Sequence, residues 1–93
     1  MEEFNDPNKI RPSVMWFARQ MENKLRENDH KGGWTRCQPA YLKKRLFEEA
    51  QEVNMLLRVN HAKRNAEKII RECADVANFA MMLADNYGKK IGE

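Results

Sequence analysis

Two pairs of acidic residues stand three positions apart inside apolar helical patterns. Glu49 and Glu52 form the first pair, and Glu72 and Asp75 form the second, about twenty residues later. A helix places such residues on one face, so each pair presents both carboxylates in one direction. If the two helices pack side by side, the carboxylates converge, and bare carboxylates about 5 Å apart repel by roughly 3 kcal/mol per pair at an effective dielectric constant near 20. The spacing therefore predicts a site for a hard cation such as Mg²⁺ or Mn²⁺.

A plainer interpretation is that these acids form a solvated helix face or pair with Arg45 and Lys68. At about 100° per residue, however, Glu49 points into the apolar stripe of its helix, and Glu52 lies on the edge of that stripe. Buried charges are rare unless they are paired or bound to a metal. On these grounds alone, the metal site and the solvated face carry similar weight.

Apolar residues at helical spacing predict an all-α fold, a helical bundle of three helices in one domain that covers residues 1–93. Helix one spans about residues 14–28 with Ser13 as its N-cap, helix two runs from Pro39 to about residue 59, and helix three runs from about residue 66 to 87, where Gly88 stops it. Helices two and three form an antiparallel hairpin. Residues 1–12 are predicted to be a flexible arm, the closing KKIGE is predicted to fray, and residues 29–38 form a glycine-containing loop that could close over a ligand.

Composition restricts the class of protein and its location. The 93 residues are 42% hydrophobic and 33% charged, with a formal net charge of +3, which describes a charge-rich helical protein rather than a disordered one. The chain has no apolar run of about 18 residues and no leader pattern, so we expect a cytoplasmic protein. Cys37 and Cys73 are too few for a disulfide framework or a zinc site and are expected to be reduced thiols.

The acidic motifs carry a resemblance to a known family. Glu48-Glu49-Ala50-Gln51-Glu52, followed by Glu72-Cys73-Ala74-Asp75, resembles the EExxE and ExxD signature of the MazG-like, all-α nucleoside triphosphate pyrophosphohydrolases. The resemblance covers about residues 42–87. It implies Mg²⁺-dependent hydrolysis of a nucleoside triphosphate between the α- and β-phosphates, in a homodimer or homotetramer. It also implies that Glu49, Glu52, Glu72 and Asp75 bind the metal, and that Glu48 binds a second ion or orients the attacking water.

Four further residues are candidates for substrate binding. Lys31 in the glycine loop could hold the triphosphate, and Trp34 could stack on a base, although each is also explained as a solvated charge or a packed aromatic side chain. Arg45 could offset the acidic cluster or contact a phosphate. Asn78, one turn after Asp75, could meet a phosphate or a sugar hydroxyl, or be an ordinary partly exposed helix residue.

Two rival functions stay open. A small basic module could bind nucleic acid or a protein partner through the cations of helix two and the following turn, although the acids and the apolar surface of helix three argue against nucleic acid. The basic residues in question are Lys43, Lys44, Arg45, Lys63 and Arg64. A relative that keeps the metal site but lacks activity would act as a nucleotide sensor. A chain this short buries a small share of its surface, so a homo-oligomer that completes the bundle is expected in either case.

Overall fold

The structure, a computed structural model, describes residues 8–92. Three α-helices follow one another: α1 (Pro12–Glu27), α2 (Pro39–Leu57) and α3 (Ala66–Gly92). Short 3₁₀ turns at Asp29–Lys31 and His61–Lys63 lie in the two connections. All regular elements of the described residues are helical, which confirms the predicted all-α fold.

Helix α3 lies at the centre of the bundle and packs against both α2 and α1. Arg45 near the start of α2 lies over the ring of Phe79, whereas Glu49, one turn later, lies beside the earlier residue Glu72. These pairs show that α2 and α3 run in opposite directions. Because of this arrangement, the two acidic motifs predicted from the sequence lie on facing helices.

The hydrophobic core is small. Leu42 and Ala74 are the buried hydrophobic residues of the described part, and the polar Asn78 is buried with them at 3% exposure. Large apolar side chains remain exposed on the surface, among them Phe47 at 65% and Trp16 at 49%. A single copy of the chain therefore leaves much of its apolar surface open to solvent.

Two predicted helix ends are wrong. The N-cap of α1 is Arg11 rather than Ser13, and no side-chain hydrogen bond caps this end, because the helix begins two residues earlier than predicted, with Pro12 in its first turn. Helix α3 continues through Gly88 to Gly92, so the predicted stop at Gly88 is wrong. The predicted fraying of the last residues stays a prediction, and Glu93 lies outside the described residues. The pair between Asp85 and Lys89 spans this segment at 3.0 Å, and lysines in the last turn suit the negative end of the helix dipole. Most of the predicted N-terminal arm, residues 1–7, lies outside the described residues.

The loop between α1 and α2 is attached to the distal half of α3. The Trp34 indole Nε1 donates a hydrogen bond to the Asp85 carboxylate at 3.0 Å, and the Asn86 side chain donates to the Trp34 backbone carbonyl at 3.0 Å. The hydrogen bond from Trp34 is the main reason that the pKa of Asp85 is lowered, with Lys89 contributing next. Gly32 has φ +90, a conformation that favours glycine, and it allows the turn before Trp34. In residues 8–92, no helix combines the length and apolar character needed to cross a membrane.

Candidate metal centre and adjoining cavity

Three acidic side chains converge between α2 and α3. Glu49, Glu72 and Asp75 each contribute one carboxylate oxygen, and these oxygens lie within 4.8 Å of one another. The side chains of Glu49 and Asp75 are only 14% and 19% exposed, so water screens their mutual repulsion poorly. A helix brings Glu72 and Asp75 together because they are three positions apart, and the packing of α2 against α3 adds Glu49.

Of the three acids, Glu72 has the least favourable surroundings for a negative charge. Its Oε2 atom is buried and has no hydrogen-bond partner. Burial, followed by the proximity of Glu49, raises the pKa of Glu72 to about 7. Burial also raises the pKa of Asp75, although the ammonium of Lys24 opposes the shift. An unpartnered buried oxygen among acids is a donor set that fits a hard divalent cation such as Mg²⁺.

Two basic side chains contact the cluster, one from α2 and one from α1. Arg45 donates to Glu48 at 2.9 Å and to Glu49 at 2.8 Å, and the hydrogen bond to Glu48 is the main reason that its own pKa is raised. Lys24 on α1 lies 3.5 Å from Asp75 and 3.4 Å from Glu27. Each cation therefore offsets one acid at the edge of the cluster, while Glu72 receives neither a hydrogen bond nor an ion pair at Oε2.

The remaining acids of the first motif lie apart from the three. Glu48 is exposed and pairs with Arg45, so it reaches the rim of the cluster through a shared arginine. Glu52 is also exposed, and the group of acids within 4.8 Å does not include it. Three helix positions beyond Glu49 correspond to a rise of about 4.5 Å along α2. Because α2 and α3 are antiparallel, that rise leads toward the level of Glu72, so Glu52 differs from the three clustered acids in being exposed to solvent.

A cavity of about 390 Å³ adjoins the cluster, with Glu49 and Asp75 in its wall. All four residues predicted to bind substrate also line it: Lys31, Trp34, Arg45 and Asn78. Trp34 contributes from the loop at the far end, because its indole is tied to Asp85, about 15 Å along α3 from Asp75. The cavity thus has acids and cations at one end and an aromatic side chain at the other.

Asn78 is buried between α3 and α1. Its side-chain amide donates to the backbone carbonyl of Met21 at 3.0 Å, while its Oδ1 atom has no hydrogen-bond partner. The contact with Met21 fixes the amide orientation, because the flipped amide would place two oxygens against each other. Asn78 is therefore not the exposed helix residue of the plainer interpretation, and it leaves a buried, unpartnered hydrogen-bond acceptor next to the cavity.

Sequence reasoning missed Lys24. Its side chain is 17% exposed, lines the cavity and contacts an acid of the cluster. The local sequence shows only a lysine three positions before Glu27 on an amphipathic helix, which is typical of a surface ion pair. Its contact with the cluster depends on how α1 packs against α3. The residue spacing within α1 does not predict that packing.

Comparisons of the chain with protein-family models, with curated proteins and with solved structures find no match. The resemblance to the MazG-like family therefore rests on the two acidic motifs of the sequence alone.

Proposed function

We propose that the protein is a Mg²⁺-dependent nucleoside triphosphate pyrophosphohydrolase of the MazG-like kind. The observation that carries the proposal is the convergence of Glu49, Glu72 and Asp75 within 4.8 Å at the wall of a cavity of about 390 Å³. The cations and the aromatic side chain of that cavity complement the triphosphate and the base of a nucleotide. A cytoplasmic location, where nucleoside triphosphates and reduced cysteines occur, is part of this proposal.

In this proposal the substrate lies along α3. Its phosphates occupy the end near Asp75, where Arg45 supplies positive charge, and its base lies toward Trp34, while Lys31 adds a further positive charge to the cavity wall. The oxygen of a water molecule bonds to one of the two phosphorus atoms of the α,β-anhydride, the bond from that phosphorus to the bridging oxygen breaks, and the bridging oxygen leaves with the other phosphate group. One proton of the water is released and the other remains on the phosphate products. The products are a nucleoside monophosphate and pyrophosphate.

The chain's own contribution is to hold charges in fixed positions. Glu49, Glu72 and Asp75 would bind Mg²⁺, which when bound neutralises phosphate oxygens and lowers the pKa of a coordinated water. Arg45 keeps the Glu49 carboxylate oriented through a hydrogen bond of 2.8 Å. Glu48 accepts a hydrogen bond from the other terminal nitrogen of Arg45. It remains the candidate that orients the attacking water, because its exposed carboxylate can accept a hydrogen bond from water. Glu52, which is exposed on α2, is left as a ligand of a second ion at most.

Asn78 is proposed to contact the sugar. One N–H of its side-chain amide donates to Met21, and its Oδ1 atom has no hydrogen-bond partner, so we propose that this oxygen accepts a hydrogen bond from the ligand. Phosphate oxygens at neutral pH also accept, whereas a sugar hydroxyl can donate. Asn78 lies about 4.5 Å along α3 from Asp75, on the way from the acids to Trp34, where a sugar would lie.

The structure offers the basic-module rival less support than the sequence did. Arg64 donates to the backbone carbonyls of Val59 and Leu57 at 3.1 and 2.9 Å, so it closes the end of α2. Arg45 is turned toward Glu48 and Glu49. Two of the five cations proposed for nucleic-acid binding are thus engaged within the fold.

The test of the proposed function is phosphorus NMR of ribo- and deoxyribonucleoside triphosphates incubated with the protein and Mg²⁺. We expect monophosphate and pyrophosphate to appear together and chelation of the metal to abolish both. Mn²⁺ is expected to replace Mg²⁺, since both prefer oxygen ligands. Orthophosphate with diphosphate would contradict the proposed bond. No turnover with either ion, together with metal-dependent nucleotide binding in calorimetry, would favour the silent sensor.

A homodimer or a larger homo-oligomer is also proposed. Exposed apolar side chains occur on α1 and α2, among them Trp16 and Phe47, and a second copy that covers them would complete the bundle. We expect light scattering at micromolar concentration to give at least twice the 11.0 kDa mass of the chain. A monomer under those conditions would contradict this part of the proposal without affecting the metal site.

A further inference from the structure

Lys24 holds an unusual position beside the acidic cluster. Its ammonium group lies 3.5 Å from Asp75 and 3.4 Å from Glu27, and its side chain is 17% exposed in the wall of the cavity. The ammonium also lowers the pKa of Glu72, against the larger effect of burial. Lys24 is therefore a cation close to two of the three acids that would bind Mg²⁺.

A lysine in this position competes with a metal ion. A divalent ion at the cluster would repel the ammonium, and it would neutralise the Asp75 carboxylate that attracts it. The electrostatic attraction of Lys24 to Asp75 would then weaken, whereas its contact with Glu27 would remain. Glu27 is itself held by Arg71 through hydrogen bonds of 2.9 and 3.0 Å, so it stays in place as the anchor for Lys24.

From this geometry we propose that Lys24 is a phosphate-binding residue that exchanges partners, contacting Asp75 in the metal-free protein and a substrate phosphate once the metal is bound. The proposal rests on the proposed function and adds a substrate contact to it. A lysine ammonium is a compact point charge on a flexible stem, which suits such an exchange. The side chain already borders the cavity, so the change requires side-chain rotation and no movement of α1.

Two binding measurements on Lys24→Gln test the exchange, and they should change in opposite directions. Without nucleotide, Mn²⁺ binding measured by electron paramagnetic resonance should become tighter by about 3- to 10-fold, because a competing positive charge is gone. With saturating Mg²⁺, a non-hydrolysable triphosphate with a methylene group between the α- and β-phosphates should bind about 10-fold more weakly in calorimetry, because a charge-assisted contact is lost.

Two variants serve as controls. Lys44→Gln removes the same charge from an exposed position of α2 that does not line the cavity, and it should change both affinities less than about 2-fold. Lys24→Arg keeps the charge and should restore most of the affinity for the analogue. A measurement on the unaltered protein avoids any effect of substitution on folding: the ¹³Cε signal of Lys24 should shift when Mg²⁺ is added and again when the analogue is added.

The outcomes separate the two proposals. An analogue that binds to the unaltered protein with Mg²⁺, but whose affinity is the same in Lys24→Gln, would overturn the role of Lys24 and leave the proposed function standing. A loss of Mn²⁺ affinity in Lys24→Gln would show that the lysine supports the metal site instead of competing for it, and would also overturn the exchange. Failure of the unaltered protein to bind the analogue at all would overturn the proposed function, and the role of Lys24 with it.

Discussion

Glu49→Gln is expected to slow the conversion of nucleoside triphosphate to monophosphate and pyrophosphate by about 100- to 1,000-fold. The substitution removes one of three charges that lie within 4.8 Å of one another, and it keeps the size of the side chain. It also replaces the carboxylate that holds Arg45 at 2.8 Å, so the arginine is left with Glu48. Phosphorus NMR at saturating Mg²⁺ measures the rate and the products together.

Glu67→Gln is the matched control for this substitution. It makes the same chemical change on an exposed residue in the first turn of α3, and it should leave the rate within about 2-fold of the original. Glu48→Gln, on the other partner of Arg45, separates a water-orienting acid from a simple ion pair. A loss near 100-fold indicates the former, and a loss of a few-fold the latter. Full activity in Glu49→Gln would contradict the proposed metal centre.

The helical spacing of apolar residues predicts the helices because it indicates which side chains are buried. It predicts the helix ends less well, because the ends depend on local contacts. The spacing of Phe17, Met21 and Leu25 is helical, and all three side chains are half-buried in α1. At the other end of the chain, the sequence predicts a stop at Gly88, but in the described residues the glycine with positive φ is Gly32, so Gly88 continues the helix. Helix α3 continues because it can accept glycine at a cost of about 1 kcal/mol, which neighbouring contacts offset.

The site could be predicted to the extent that it depends on spacing within one helix. Glu72 and Asp75 share a face whatever α3 packs against, so their pairing follows from the sequence. Glu49 joins that pair and Glu52 does not. This difference depends on how α2 is rotated about its axis and how far along α3 it is placed. Lys24 depends on a third helix, α1, whose level against α3 is marked by the hydrogen bond from Asn78 to Met21.

The metal-free protein is expected to lose stability as the pH rises through neutrality, and Glu72 is the main reason. Its pKa is raised from 4.5 to about 7 in the folded protein. A carboxyl whose folded-state pKa lies above its unfolded-state value stabilises the fold while it is protonated, and that stability is lost as the pH rises from the lower value through the higher one. The expected loss between about pH 5 and pH 8 is up to about 3 kcal/mol.

Other acids do not obscure this change. Burial raises the pKa of Asp75 as well, so its contribution has the same sign. Hydrogen bonds from Arg71 and Trp34 lower the pKa values of Glu27 and Asp85, so their contributions fade only at acidic pH, below the range in which Glu72 titrates. Urea unfolding in chelator at several pH values from about 5 to 8 therefore reports mainly on the acidic cluster.

Glu72→Gln should remove most of this pH dependence and most of the stabilisation by metal. The amide has no charge to bury and can donate hydrogen bonds to the neighbouring carboxylates, so the variant should be more stable than the original protein in chelator at about pH 8 and show little change with pH. For the original protein, Mg²⁺ at about 100 times its dissociation constant should add roughly 2.7 kcal/mol of stability, whereas the variant should gain far less. Glu67→Gln should behave like the original protein in both media. If Glu72→Gln lowered stability in chelator at high pH, Glu72 would have a favourable partner in the fold. That result would contradict the proposal that the cluster holds a buried negative charge that a cation stabilises.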